Sequence, residues 1–451
     1  MSASEEPVTD LLYGLDVRPP LRETLLVALQ HVFAVFVGMI TPPLLIAGAL
    51  KLGSADTAYL VSMSLFVSGA ATILQTSRLG PIGSGLLSIQ GTSFTFIAPI
   101  ISVAGSAMAA GATPTQALGG IFGLCMAGAL VVMLASRFIQ RASRVITPVV
   151  TGTVVTLIGL TLIEVGMVSV GGGYGARADG SFGSPQNLGL AALVLVVILV
   201  FNTSRSPRLR MLSVVLGLLA GYIAALALGR LNLSALQNTP LLNLPLPFRF
   251  GLSFDYAAFP PFLFMYLITV MESIGDLTAT SSLSGQPISG PIYFKRLRGG
   301  LLADGINSLV GACLNSFPST TFAQNNGVIQ LTGVGSRYVG IFIGGILMLL
   351  GLIPVVGVMV QALPPSALGG ATLILFGMVA ASGIRILSQV HMNRRNTVIL
   401  ATSLGLGLGV TFVPQITQAL PATLRNALSS GIATGGMCAL LLNMVLPGER
   451  Q

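Results

Sequence analysis

The sequence predicts an all-α polytopic membrane protein with fourteen transmembrane segments, arranged as two inverted repeats of seven. Three observations favour this class. Of the 451 residues, 53% are hydrophobic and only 8% are charged, whereas soluble domains have roughly 25% charged residues. Apolar stretches long enough to cross a bilayer, about 20 residues each, recur from Thr24 to Leu446. Basic residues also concentrate in alternate loops, as expected when one side faces the cytoplasm.

Hydropathy divides the chain into twelve continuous spans and two broken ones. The spans are 24–49, 57–76, 84–105 (broken), 117–136, 145–166, 189–203, 212–229, 259–283, 300–315, 318–333 (broken), 338–358, 366–384, 396–413 and 427–446. The predicted organisation is a cytoplasmic tail (1–23), a first repeat (24–229), an outer connection (230–258) and a second repeat (259–446).

The placement of positive charge predicts the topology. With the N-terminus in the cytoplasm, 17 of the 22 Lys and Arg residues fall in inward loops. The remaining five are Lys51, Arg177, Arg230, Arg249 and Arg425. The chain shows this charge bias if it crosses the membrane fourteen times and both termini are in the cytoplasm. That count requires the two broken segments to cross the membrane as well. The net charge of +9 therefore reflects orientation in a lipid bilayer, and a nucleic-acid partner is not expected.

Two pairs of motifs, each seven spans apart, indicate the repeat. TPVVTG (147–152) and PPSALG (364–369) both read Pro-x-x-x-Gly at a helix start. SIQGTSFTF (88–96) and TTFAQNNGV (320–328) are both polar and interrupted by glycine. A repeat with an odd number of spans inserts its second copy upside down, which is the plan of many secondary transporters.

The broken segments are the predicted binding site. Non-helical backbone at membrane depth must be buried in protein or line a wet cavity, and two helix N-termini can then face one midplane cavity. Ser93 and Thr95 would flank one break, with Gln324, Asn325 and Gly327 at the other. Gly91 and Gly327 would permit close approach of the backbone to a flat ligand. The alternative is a polar kink that only packs helices.

Three carboxylates lie inside predicted spans, where a charge is costly and calls for a function or a partner. Glu272 and Asp276, in MESIGD, are four residues apart and share a helix face. Two carboxylates that close do not both ionise easily, so a transferable proton is expected there. Asp304 is either a proton carrier or a helix cap. His31 either bonds a neighbouring helix or relays protons.

Catalysis has no candidate in the sequence. No metal-ligand spacing, nucleophile elbow or phosphate-binding loop is present, so an enzyme, a metal site and a cofactor are not expected. Cys125, Cys313 and Cys438 fall in apolar segments, which is typical of buried thiols.

At these motifs the sequence resembles the nucleobase–ascorbate transporter family, also called nucleobase–cation symporter 2. QNNGVIQLTG (324–333) fits the family signature at every constrained position. The family's other motifs are present in the expected order along the chain: Gln30-His31, SIQGTSF (88–94), ESIGD (272–276) and ADG (303–305). The resemblance covers about 24–447 and is greatest to the bacterial xanthine and uric acid permease subgroup, since uracil carriers tend to have Glu at 324 and His at 276.

The resemblance implies roles for individual residues. Glu272 and Gln324 would hydrogen-bond the purine ring, and Phe94 would stack on it. Ser93, where several xanthine-selective members have Asn, would leave room for the extra oxo group of urate. The remaining implied roles are coupling for Asp304, orientation of polar groups for His31 and shaping of the site for Asn325.

The resemblance also implies an architecture and a mechanism. Spans 1–4 and 8–11 would form a core domain, and spans 5–7 and 12–14 a gate domain through which homodimers form. Transport would be an elevator-like movement of the core against the gate, importing uric acid, xanthine or both with protons across the bacterial inner membrane. The alternatives left open are a symporter of uracil or another nucleobase, and an inorganic-anion exchanger on the same plan.

Overall fold

The computed structural model describes residues 11–142, 147–231, 242–420, 428 and 430–447. Several predicted regions extend beyond this part of the chain. Parts of the N-terminal tail (1–23), the outer connection (230–258) and the fifth and fourteenth spans (145–166 and 427–446) lie outside the described residues, as do Arg144, Arg425 and Arg450.

The first half of the chain is built from helices that fall in the predicted spans, with two further short helices in predicted loops. They are α1 (Leu21–Ala49), α2 (Ser54–Ser77), α3 (Ile97–Ala109), α4 (Pro114–Ala135), α5 (Ile139–Ala142), α6 (Pro148–Val170), α7 (Gly173–Asp179), α8 (Pro185–Asn202) and α9 (Pro207–Ala227). A short strand, β1 (Gln90–Thr92), and a 3-10 helix (Phe94–Phe96) precede α3.

The second half also consists of helices and contains one interrupted segment. Its helices are α10 (Phe259–Leu283), α11 (Gly290–Cys313), α12 (Gln324–Thr332), α13 (Arg337–Leu352), α14 (Pro354–Gln361), α15 (Pro365–Ser388), α16 (Arg394–Phe412) and α17 (Gly431–Val445). The strand β2 (Ser319–Thr321) precedes α12. Among the described residues, seven helices are long and apolar enough to cross a membrane, and the chain is a multi-pass membrane protein.

Both segments predicted to be broken contain a strand followed by a helix. The strands pair antiparallel, with Gln90 opposite Thr321 and Thr92 opposite Ser319. A buried backbone group must find a partner, and here each broken segment supplies the partner for the other. Because the strands run in opposite directions, the helices that follow them leave from opposite ends of the ladder.

Two of the differences from the hydropathy prediction have a clear physical cause. The ninth span begins at Gly290, ten residues before the predicted start at 300, because the basic stretch from Lys295 to Arg298 is helical although it is polar. The eleventh span (338–358) is divided into α13 and α14 at Ile353. Pro354 follows directly, and proline both lacks a backbone donor and disfavours helical backbone in the residue before it.

Helices α6 and α15, the fifth and twelfth spans, cross at very short distance. A Cβ atom at Gly159 would collide with the backbone of Ala380, and one at Gly383 would collide with the backbone of Thr156. Small residues permit this approach in membrane helices. Helices α2 and α13 meet in the same way at Gly69 and Gly344.

Candidate functional site

The two carboxylates of α10 face one cavity. Glu272 and Asp276 both line one cavity between α10 and the two interrupted segments. The four-residue spacing predicted this shared face, and the structure confirms it. The cavity is lined by Phe94, Val155, Glu272, Asp276, Thr320, Thr321, Phe322, Ala323, Gln324, Val379 and Ser382.

Each carboxylate is held by a threonine from a different broken segment. Thr95 Oγ1 donates to Glu272 Oε2 over 3.2 Å, and Thr321 Oγ1 donates to Asp276 Oδ2 over 3.0 Å. A carboxylate has about four acceptor positions on its two oxygens. Each therefore keeps acceptor capacity for N–H groups of a ligand in the cavity.

The cavity lies where the two interrupted segments turn into helix. Phe94 is the first residue of the 3-10 helix and Gln324 is the first residue of α12, and both line the cavity. The convergence of two helix starts is the arrangement expected from the sequence. Thr280 Oγ1 of α10 also donates to Asn326 Oδ1 over 2.7 Å, so α12 is tied to the helix that carries the carboxylates.

Aromatic rings form one wall. Phe94 is 4% exposed; its ring centroid lies 5.8 Å from that of Phe322 and 5.6 Å from that of Phe376, which it meets edge-on. The Phe322 ring in turn covers Gly91, where a Cβ atom would collide with it. Gly91 is therefore needed for the packing of Phe322 against β1.

Asp304 lies in a second, adjoining cavity. This cavity is lined by Val132, Tyr266, Thr269, Val270, Ser273, Leu301, Asp304, Ser308 and Ser319. Asp304 is 4% exposed. Ser273 and Gln90 are the polar side chains that face its carboxyl group, but within the described chain neither carboxyl oxygen has a hydrogen bond of normal geometry.

His31 and Asn325 lie together behind the cavity that contains Glu272. The Asn325 amide donates to the carbonyl of Leu87, and its side chain faces the imidazole of His31. Both residues are buried. The two side chains are therefore close together, although neither ring nitrogen of His31 has a hydrogen bond of normal geometry within the described chain, and neither residue lines the cavity.

Ser93 and Gly327 are also outside the cavity lining. Ser93 is 1% exposed; its backbone N–H donates to the Pro318 carbonyl over 2.8 Å. Gly327 is inside α12, and a Cβ atom there would contact nothing within 4 Å. Direct contact of Ser93, Asn325 and Gly327 with a substrate stays a prediction.

Several residues of the site were not identified from the sequence. Thr320, Thr321 and Phe322 lie in the motif TTFAQNNGV (320–328) that marks the broken segment, but nothing in that motif singles out these three side chains. Val155, on α6, and Ser382, on α15, reach the cavity from the fifth and twelfth spans. The Pro-x-x-x-Gly motifs single out these two helices in the sequence. They do not show which face of each helix is turned to the site.

A family comparison places the chain among known proteins. A sequence profile named Xan_ur_permease and described as a permease family matches residues 22–416. The chain belongs to the nucleobase–ascorbate transporter family. The resemblance inferred from the QNNGVIQLTG motif is thereby confirmed for most of this permease.

Curated relatives match along nearly their whole length. Xanthine permease XanP of Escherichia coli strain K12 is 50% identical over 444 residues, covering 98% of this permease and 96% of the relative. Xanthine permease XanQ of the same strain is 45% identical over 448 residues, with 99% and 96% covered. Uric acid permease PucJ of Bacillus subtilis strain 168 is 37% identical over 421 residues, with 92% and 91% covered.

Solved structures show the same class of fold. The transmembrane domain of the cyanobacterial bicarbonate transporter BicA aligns with a TM-score of 0.59 at 14% identity, covering 90% of this permease and 100% of that domain. The murine anion transporter Slc26a9 in its inward-facing state aligns with a TM-score of 0.60 at 12% identity, covering 95% and 69%. The permease thus has the helical membrane fold of these transporters.

Proposed function

We propose that this permease is a proton-coupled symporter that imports oxidised purines, uric acid or xanthine or both, across the bacterial inner membrane. The observation that carries the proposal is the single cavity in which Glu272, Asp276, Gln324 and Phe94 meet. A purine is flat and bears ring N–H donors and oxo acceptors. Two carboxylates and an amide match that edge, and an aromatic ring matches its face.

The named relatives support the substrate class. Two relatives called xanthine permease share 45–50% of aligned residues over almost the whole chain, and the relative called uric acid permease shares 37%. Between these substrates, Ser93 was the residue expected to matter. Its hydroxyl is buried with no hydrogen-bond partner in the described chain, directly before the cavity-lining Phe94.

The three intramembrane carboxylates support proton coupling. Within the described residues, the ion pairs are Arg249 with Asp56 and Arg337 with Asp16, so the carboxylates at 272, 276 and 304 have no cationic partner there. A buried charge without a partner is costly, and the cost is removed when the carboxylate binds a proton. A coupling ion of this kind requires no further cofactor.

The packing of the helices supports an inverted repeat. Contacts between two spans recur between the spans that lie seven positions away from them. Spans 2 and 11 (α2 and α13) pack together, and so do spans 9 and 4 (α11 and α4); spans 6 and 7 (α8 and α9) pack together, and so do spans 13 and 14 (α16 and α17). The strands follow the same rule, because the N–H of Gln90 bonds to Thr72 of α2 and that of Ser319 bonds to Ser308 of α11.

The position of the cavity supports an elevator mechanism. Glu272 and Gln324 come from the predicted core domain, whereas Val155, Val379 and Ser382 come from the fifth and twelfth spans of the predicted gate domain. A site between two bodies is exposed or covered when one moves against the other. We include dimerisation through the gate domain in the proposal; chemical cross-linking between single cysteines in spans 13 and 14 tests it.

Uptake of radiolabelled urate and xanthine, side by side, tests the proposal. The host cells should lack their own purine permeases, and each assay should be run with and without a protonophore. Saturable uptake that the protonophore abolishes, and that Glu272→Gln removes, is the expected result. Uptake that is insensitive to the protonophore would contradict proton coupling. Chloride or sulfate flux without purine uptake would instead favour an anion exchanger.

A further inference from the structure

We propose that the hydroxyl groups of Ser273 and Thr320 form the proton path between the Asp304 cavity and the substrate cavity, which is the cavity lined by Glu272. The inference rests on the proton coupling proposed above. It assigns a route that the positions of the carboxylates alone do not specify, since Asp304 does not line the substrate cavity.

The two cavities meet at one hydrogen bond. Ser273 lines the Asp304 cavity, and Thr320 lines the substrate cavity. Their hydroxyl oxygens are 3.2 Å apart, and either can donate. Of the side-chain hydrogen bonds in the described residues, this is the one that joins the lining of one cavity to the lining of the other. Tyr266 also lines the Asp304 cavity, but its hydroxyl is occupied because it donates to the Cys125 carbonyl over 2.7 Å.

Both hydroxyls are shielded from lipid and bulk water. Ser273 is 1% exposed and Thr320 is 2% exposed. Ser273 and Asp304 line the same cavity, so the order of groups is carboxyl, hydroxyl, hydroxyl, substrate cavity. A hydroxyl has one proton to donate and two lone pairs that accept, which allows it to receive a proton on one side and release its own on the other.

The transfer balances without any further reactant. The O–H bond of protonated Asp304 breaks as Ser273 Oγ accepts its proton, and the original Ser273 proton passes to Thr320 Oγ1. The Thr320 proton is then released into the substrate cavity, which Thr320 lines together with Glu272 and Asp276, and an ionised carboxylate of this pair accepts it. Rotation of both hydroxyls restores the starting hydrogen bond.

Comparison of two transport modes tests this path. Exchange of labelled for unlabelled purine in proteoliposomes needs no net proton movement, whereas accumulation driven by an imposed pH gradient does. The variants Ser273→Ala and Thr320→Val remove one hydroxyl each. For both variants we expect the rate of gradient-driven accumulation to fall by about 100-fold, at the low end of what positioned proton-transfer groups contribute. Exchange should stay close to that of the unmodified protein in Ser273→Ala, because Ser273 does not line the substrate cavity.

Two matched variants serve as controls. Thr320→Ser keeps the hydroxyl and should keep accumulation. Ser64→Ala removes an equally buried hydroxyl, which lies 3.4 Å from the hydroxyl of Ser316 and lines neither cavity, and should leave both modes unchanged. Amounts of folded protein are compared by size-exclusion chromatography. If Thr320→Val does not fold, Ser273→Ala and the proton-to-purine ratio from an enclosed pH dye decide the question.

The outcomes separate this path from the proposed function. Accumulation that persists in folded Ser273→Ala or Thr320→Val would overturn the path. Equal loss of exchange and accumulation in Ser273→Ala would also overturn it, because the bond would then only position β2 against α10. If the unmodified protein shows no gradient-driven accumulation at all, proton coupling itself fails, and the path fails with it.

Discussion

The hydroxyl of Thr321 donates a hydrogen bond of 3.0 Å to Oδ2 of Asp276. This bond joins β2, which leads into the signature motif, to the helix that carries Glu272. Asp276 is therefore part of the site wall. It is fixed there by the same strand that pairs with β1, so both broken segments and α10 position the carboxylates as one unit.

Thr321→Val should weaken purine binding by about tenfold or more, since a hydrogen bond to a charged group contributes about 1.5–3 kcal/mol. The shape of the side chain is preserved, so the loss reports on the orientation of Asp276. The measurement is KM for uptake together with direct binding to purified protein. Thr321→Ser retains the hydroxyl and should bind normally. An unchanged KM in Thr321→Val would mean that Asp276 does not contribute to binding.

Gln324 and Asn325 should respond differently to substitution although they are neighbours. Gln324→Ala should raise KM, because Gln324 lines the cavity. Asn325→Ala leaves the Leu87 carbonyl without its amide donor, and a buried unsatisfied group costs about 1–3 kcal/mol. We therefore expect a lower melting temperature, with a smaller effect on KM. A large rise in KM with unchanged melting temperature for Asn325→Ala would place that side chain in the site.

Asp304→Asn should separate coupling from substrate recognition. The substitution preserves volume but cannot carry a proton, and Asp304 lines the second cavity and not the first. Purine exchange should persist within a factor of about three, an effect of well under 1 kcal/mol, while accumulation against a gradient disappears. Equal loss of binding affinity and accumulation would show that Asp304 acts on the substrate directly.

Gly383→Ala should destabilise the protein, whereas Gly377→Ala in the same helix should not. A Cβ atom at Gly383 collides with the backbone of Thr156, and one at Gly377 meets nothing within 4 Å. Overpacking of this kind costs about 1–3 kcal/mol. Melting temperatures in detergent, together with uptake rates, measure the difference. Equal stability of the two variants would mean that α6 and α15 do not approach as closely as described.

Residue spacing in the sequence was enough to predict those features that depend on a single helix. Glu272 and Asp276 share a face because a helix brings residues four apart together. Proline residues begin α6 and α15, as the two Pro-x-x-x-Gly motifs predicted, since proline is favoured in the first helical turn. Helix geometry also explains why Gln324 and Asn325 could not both line the cavity. As neighbours they project from different faces of α12, and the sequence does not say which face meets the cavity.

The sequence by itself determined the membrane class, the helix order, the two interrupted segments and the carboxylates of the site. These follow from hydropathy, from the cost of charge in lipid and from spacing along single elements, all of which are local. Only the tertiary structure decided that Gln90–Thr92 pairs with Ser319–Thr321, that Thr95 and Thr321 hold the carboxylates, and that Asp304 has a cavity of its own. A three-residue strand has no stability without its partner, and a cavity exists only where distant segments meet, so neither leaves a signal in any one stretch of the chain.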